Sequence, residues 1–213
     1  MTLRIIGGTL RRRLLTTPHG LTTRPYTDRV RQIVFDRIGA SLEQARVADI
    51  FSGVGTMGLE SLSRGAASCV FFEADRQVFA SLKENVDLLA GDFTTVCWKT
   101  NVHRTSFRPK GCDGILPYSV VFLDPPYAQC SLLERGQPLA KALTRLARPE
   151  VTSGDVTLVL RTQDRFDLPA LNRWMTQDCW HLSSMKIWLL RKAPDEHETP
   201  HEATLESNSK ADA

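Results

Sequence analysis

The chain has 213 residues, 42% of them hydrophobic and 24% charged, a balance that supports a packed core and excludes a low-complexity or disordered polymer. No apolar run reaches the ~18 residues needed to cross a bilayer, and the opening Met1–Gly8 lacks the basic-then-apolar layout of a secretion signal. A cytoplasmic, monomeric protein with no membrane association is expected.

The net charge of +3 conceals a division. Residues 193–213 hold six acids and one Lys, while the first 37 residues hold eight Arg (4, 11, 12, 13, 24, 29, 31, 37) against Asp28 and Asp36. Arg is the side chain suited to bidentate phosphate contact and base stacking, so the N-terminal cluster points to a polyanionic partner. A merely solvated basic face is the competing explanation. Five cysteines (69, 97, 112, 130, 179) form no C-x-x-C pair, so neither a zinc site nor a disulfide framework is indicated, and no metal is expected.

Residues 3–16 predict a hairpin: Leu3–Ile6, a Gly7-Gly8 turn, then a second strand through Thr16. Thr27 reads as an N-cap, followed by Val30, Ile33, Val34 and Ile38 at helical spacing, with Gly39 as the stop. From residue 47 short apolar strands alternate with amphipathic helices. Strands are predicted at 47–51, 69–73, 94–100, 120–123, 156–160 and 186–190, helices at 57–64 and 132–147, and between the second and third strands a long helix with Val78, Phe79, Leu82, Val86 and Leu89 on one face. Such alternation implies an α/β fold with a mostly parallel sheet covered on both faces. The chain divides into an N-terminal extension (1–40), a cofactor-binding domain (41–192) and an acidic tail (193–213) expected to be disordered.

The segment from Asp49 to Glu60 lies where the first parallel strand turns into its helix. Glycines there allow close backbone approach to a ligand, and the helix start favours negative charge. Gly53, Gly55 and Gly58 fit G-x-G-x-x-G, which a dinucleotide enzyme would also use. Asp49, just ahead of the loop, would repel a pyrophosphate but attract the ammonium of a methionine moiety. No hydride-transfer site is evident either, and S-adenosylmethionine is the expected ligand. Glu73 ends the second strand, 20 residues beyond Gly53, where a carboxylate accepts ribose hydroxyls in either cofactor.

After the apolar strand comes Asp124-Pro125-Pro126-Tyr127. An acid at the carboxyl end of such a strand faces the ligand crevice, and two prolines fix the backbone while removing N–H donors. Asp124 and a backbone carbonyl can accept both hydrogens of an exocyclic amine, and Tyr127 offers a flat face for an extruded base.

D-x-F-x-G-x-G-x-x-G followed by D-P-P-Y resembles the amino-methylating S-adenosylmethionine methyltransferases. Arg4-Ile-Ile-Gly-Gly8, Thr23-Arg24-Pro25-Tyr26-Thr27-Asp28-Arg29-Val30-Arg31, Leu62-Ser-Arg-Gly65-Ala66 and Glu73-Ala-Asp-Arg76 resemble the bacterial 16S rRNA guanine-N2-methyltransferases of the RsmD type. The likeness spans residues 3–191. It implies a Rossmann-like seven-stranded sheet with a small N-terminal hairpin and helix that touch RNA. It further implies S-adenosylmethionine as donor, and small-subunit rRNA or the 30S particle as partner. Asp49, Phe51, Gly53, Gly55, Gly58, Glu73 and Asn101 would then bind the cofactor, and Asp124, Pro125, Pro126 and Tyr127 would carry the chemistry. Arg4, Arg11, Arg13, Arg24 and Arg29 would hold RNA. Tyr26, Asn101 and Arg161 depart from the family's usual small hydroxyl residue, acid and Glu at those positions.

Two other functions use the same features: an adenine-N6 methyltransferase acting on DNA or RNA, and an RNA-binding ribosome-assembly factor without turnover. His197-Glu-Thr-Pro-His201 matches the zinc-protease H-E-x-x-H, but Pro200 is incompatible with the buried helix that motif needs.

Overall fold

The computed structural model describes residues 3–18 and 27–194. Seven strands form one sheet: β1 (Arg46–Ile50), β2 (Ser68–Glu73), β3 (Thr94–Lys99), β4 (Tyr118–Leu123), β5 (Thr152–Gln163), β6 (Trp174–Leu182) and β7 (Met185–Lys192). Their order is β3-β2-β1-β4-β5-β7-β6. The first five run parallel; β7 is antiparallel to both β5 and β6. From β1 the chain steps outward through β2 and β3, then returns to begin β4 on the other side of β1. Such a reversal, here at the carboxyl ends of β1 and β4, marks where ligands of open α/β sheets bind.

Both faces of the sheet are apolar, which explains the continuous hydrophobic runs of its central strands. On one face Val47, Phe71, Val120 and Phe122 meet the helices α1 (Asp28–Ile38), α2 (Thr56–Ser63) and α3 (Arg76–Leu89). On the other, Ile50, Phe72, Val121 and Leu123 meet α4 (Pro138–Leu146). Leu3, Ile5 and Leu15 join the first of these cores, so the N-terminal segment packs directly on the helix layer.

Thr27 caps α1 through Val30 N–H at 3.3 Å. Gly39 does not end it in a left-handed turn; it continues right-handed into a short 3-10 turn. The single helix expected over 132–147 is two pieces, a 3-10 segment Tyr127–Leu133 and α4. Gly136, at φ +84°, and Pro138, at the start of α4, separate them. Strand β6, at the sheet edge, had no sequence signal.

The N-terminal pairing also differs from expectation. Arg4 bridges Leu14, and Ile5 N–H donates to Arg13 O at 2.9 Å, a register that a two-residue Gly7-Gly8 turn cannot produce. The loop opens because both glycines lie against the end of α2. Ile6 and Gly7 N–H donate to the Glu60 carboxylate at 2.7 and 2.8 Å, and Leu10 N–H donates to Ser63 Oγ at 2.8 Å. A Cβ on Gly8 would stand 1.7 Å from Ser63 O. The glycines therefore permit close approach rather than a tight turn.

Candidate active site

Each carboxylate singled out in the sequence sits at the carboxyl end of a parallel strand. Asp49 is the penultimate residue of β1, Glu73 the last of β2, and Asp124 the first beyond β4. Register aligns these ends, with Ile50 opposite both Phe72 and Leu123. Backbone bonds tie them together: Ser52 N–H to Phe72 O at 3.0 Å and Asp124 N–H to Ile50 O at 3.1 Å.

The loop between β1 and α2 uses its glycines differently. Gly58 presses on β2: a Cβ there would lie 2.3 Å from Phe71 Cε1 and 2.6 Å from Cys69 Sγ, so only glycine lets helix and strand come this close. Gly53, at φ +57°, has open space where a Cβ would be, the arrangement of a backbone shelf facing a ligand. Phe51 also holds a left-handed φ of +61° and sets its ring edge-on to His103. Such a conformation costs a non-glycine residue about 1 kcal/mol or more and is kept where the surroundings enforce it.

Asp49 is buried, and its Oδ2 accepts Gly58 N–H at 2.8 Å. Burial, opposed by the Gly58 N–H bond and helped by the nearby charges of Asp124 and Glu73, raises its carboxyl to about 8. The three acids therefore share one electrostatic neighbourhood that favours a cation. Glu73 is raised by burial too, against the lowering effect of the N–H groups of Asp75, Ala74 and Gly53. Those three donors, at 2.8 to 3.0 Å, fix both carboxylate oxygens and leave lone-pair capacity for hydroxyls. An amino-acid ammonium at Asp49 and a ribose at Glu73 both fit this donor set.

Asn101 lies two residues beyond β3 and is exposed, its Oδ1 accepting His103 N–H at 2.9 Å. The loop it starts is held from the far side by Arg145 of α4, which donates to Thr105 O at 3.1 Å and His103 O at 2.7 Å. That clamp has no local signature, because an Arg in the last turn of a helix reads as a solvent-facing charge.

At the other end of the crevice, Arg161 of β5 donates from Nε to Asp124 Oδ1 at 2.5 Å, and its guanidinium carbon lies 5.6 Å from the centre of the Tyr127 ring. Asp124 is raised to about 6 by burial, against the opposing charge and hydrogen bond of Arg161. Pro125 is buried and Pro126 exposed; Pro126 O accepts Gln129 N–H at 2.7 Å.

The arginine cluster is not one face. Arg31 is fully buried, set between Asp28 (2.7 Å) and Glu60 (3.6 Å), and Arg4 pairs with Asp28 at 2.9 Å. Arg11, Arg13 and Arg29 are exposed; Arg24 lies outside the described residues, as do Tyr26, His197 and His201. Glu60 was missed by sequence reasoning, although an acid among apolar neighbours (Leu59, Leu62) in a short helix is a signal of a buried, partnered carboxylate. All five cysteines are free thiols. No described helix is long and apolar enough to cross a membrane.

A family model described as "Conserved hypothetical protein 95" matches residues 3–179. The "Ribosomal RNA small subunit methyltransferase D" of Escherichia coli (strain K12) is 37% identical over 160 residues, covering 71% of this chain and 77% of that protein. The "Putative rRNA methyltransferase YlbH" of Bacillus subtilis (strain 168) is 30% identical over 171 residues, covering 78% and 86%. Among solved structures, "Putative methyltransferase yhhF from Escherichia coli" superposes with a TM-score of 0.73 at 29% identity, covering 90% of this chain and 98% of that one.

Proposed function

The chain belongs to the family described as conserved hypothetical protein 95, that of the RsmD-type methyltransferases, and from that premise we propose that it methylates the N2 amine of a guanine in small-subunit ribosomal RNA, with S-adenosylmethionine as donor. The single observation that carries this reading is the placement of Asp124-Pro125-Pro126-Tyr127 beyond β4, across the β1 end from the Asp49–Glu73 pair.

When bound, the donor supplies a methyl group already activated on a sulfonium. Asp49 would hold its ammonium and Glu73 its ribose hydroxyls, with the open Gly53 backbone lining the loop side. Asn101 has a second oxygen lone pair for the adenine amine. Asp124 accepts one hydrogen of the target amine. The other goes to a backbone carbonyl of the two prolines, of which that of Pro126 already accepts Gln129 N–H and keeps one lone pair. These two bonds hold the nitrogen in line with the methyl carbon, and positioning of this kind is the main catalytic resource. As the carbon–nitrogen bond forms and the carbon–sulfur bond breaks, the nitrogen gains positive charge and releases a proton to Asp124. A carboxylate poised near 6 accepts it and returns it to water at neutral pH. The exposed arginines of the 1–40 extension hold the RNA, and the enzyme works as a monomer on rRNA or the 30S particle.

Tritiated methyl transfer to naked 16S rRNA, to 30S particles and to DNA, followed by nucleoside analysis, tests this. N2-methylguanosine in rRNA is expected. N6-methyladenine instead, or RNA binding with no transfer to any of the three, would overturn it.

A further inference from the structure

Four segments around the site meet at His103. Its backbone N–H donates to Asn101 Oδ1 at 2.9 Å, in the loop beyond β3, and its carbonyl accepts Arg145 Nη2 of α4 at 2.7 Å. Its ring lies edge-on to Phe51 of the loop after β1, with ring centres 6.3 Å apart. Its Nε2 lies 3.1 Å from Oε1 of Gln129, within the 3-10 segment Tyr127–Leu133. Gln129 in turn donates its backbone N–H to Pro126 O at 2.7 Å. One side chain thus connects the loop assigned to the donor's adenine with the turn that carries Asp124-Pro125-Pro126-Tyr127.

The ring's other nitrogen, Nδ1, is enclosed and has no hydrogen-bond partner among the described residues. A buried polar atom left unmatched is destabilising. Packing against Phe51 alone would be better served by Phe, a flat ring with nothing to satisfy. What histidine adds over Phe is the Nε2 bond to Gln129. With the amide oxygen facing the ring, the ring proton sits on Nε2 and is donated to Gln129 Oε1. A packing rule broken locally in this way is characteristic of a functional position.

We infer that His103 is a positioning residue for methyl transfer: through Gln129 it fixes the Pro125-Pro126 turn, and with it the base pocket, relative to the donor loop. This rests on the methyltransferase reading above and deepens it by naming what sets the distance between the two pockets. His103 acts through Gln129 and the backbone, not on the reacting atoms. In-line transfer is sensitive to such placement, since an error of about 1 Å can cost about 100-fold in rate. Slack in one hydrogen bond of the joint should cost about tenfold.

The experiment measures single-turnover methyl transfer at saturating S-adenosylmethionine, on whichever of naked 16S rRNA and 30S particles the parent methylates. Donor affinity is taken by calorimetry and folding by the melting transition. His103→Phe keeps the ring and deletes the bond; it should melt no lower than the parent and bind donor within about threefold, yet transfer about tenfold more slowly. His103→Gln, whose amide N–H can take the place of Nε2–H, should recover most of the rate. Gln129→Met removes the same bond from the other side, and so carries the test even where a change of ring disturbs folding. It should match His103→Phe, and the double variant should be no slower than either, because one interaction is lost in all three. A His103→Phe rate within twofold of the parent's would overturn the assignment, as would losses that multiply in the double variant. The assignment also falls if the slower transfer comes with an equal loss of donor affinity and a lower melting transition, the pattern of a merely structural ring. Failure of the underlying reading shows separately, as an absence of N2-methylguanosine in rRNA treated with the parent enzyme.

Discussion

Asp49 and Asp124 end neighbouring strands of the same sheet, one at β1 and one just past β4, and both are withdrawn from water. Their surroundings differ. Asp49 meets backbone N–H and two further acids, and its carboxyl rises to about 8. Asp124 meets a built-in guanidinium and rises only to about 6. The contrast follows from what each is expected to face. A cationic ligand brings its own counter-charge, so the protein supplies none at Asp49. A neutral base brings none, so the protein keeps Arg161 beside Asp124. One end of the crevice is completed by its ligand, whereas the other stands complete before the substrate arrives.

The largest expected effect tests the preformed end. Asp124→Ala should lower methyl transfer by about 10³-fold, within the range for losing a positioned acid–base group, while S-adenosylmethionine affinity changes by less than about threefold. Single-turnover kinetics beside calorimetry would show the split. Equal losses in binding and turnover would erase the division between the two ends.

The ligand-completed end should betray itself in pH dependence. Below about 8 Asp49 is largely protonated in the free protein, and a bound ammonium favours its ionised form, so binding must release a proton. Affinity should therefore rise with pH by up to about tenfold per unit until near 8, and fall again as the ligand's own amine (pKa about 7.7–8.0) loses its charge. Calorimetry in buffers of different ionisation enthalpy would count the proton. A flat profile from pH 6 to 8 would remove the cation from Asp49. The linked effect on stability has a definite sign. Because folding raises this carboxyl, the free protein binds more protons than the unfolded chain between its ordinary 3.8 and about 8. It loses the corresponding stability as pH rises through that window, and bound donor should offset the loss most at its upper end.

Glu73 sits between the two cases, raised by burial yet held by three backbone donors. Its replacement by Ala should weaken donor binding by ~1–3 kcal/mol, the scale of hydrogen bonds to a charged acceptor. Undiminished affinity in a folded Glu73→Ala protein would move the ribose elsewhere.

How much of this was readable in the sequence depended on how local the deciding physics is. The central strands announced themselves because both their faces are buried, and Asp49, Glu73 and Asp124 because strand ends are fixed by the same runs. Strand β6 gave no signal. It lies at the sheet edge with Met175, Thr176 and Gln177 exposed, and an irregularity between Thr176 and Asp178 breaks the period of two. The hairpin register was misread since Gly7-Gly8 fits a turn locally, while its real partners, Glu60 and Ser63, lie more than 50 residues away. The Asp124–Arg161 pair was hidden in the same way: Arg161 stood out only as an unusual residue after a strand, and nothing nearby in sequence named its partner.

The smallest expected effect concerns a region that touches neither carboxylate. Of the arginines singled out for RNA, Arg11, Arg13 and Arg29 are exposed and Arg4, also exposed, is paired with Asp28; elsewhere in the cluster Arg31 lies in the interior and Arg12 and Arg37 are exposed. Arg11 and Arg12 sit in the turn, with Arg12 at φ +71°, so they do not lie on a regular strand with alternating faces. Arg13 leaves the turn through its carbonyl bond to Ile5. Each phosphate contact on single-stranded RNA contributes about 0.7 to the slope of log affinity against log salt. Replacing Arg11 and Arg13 together by Ala should therefore flatten that slope by about 1 to 1.5. Donor affinity and its pH profile should stay as in the parent, since the hairpin is anchored through Glu60 and Ser63 rather than through these side chains. An unchanged salt slope would make the two arginines a solvated face, and the RNA would have to be held by other cations.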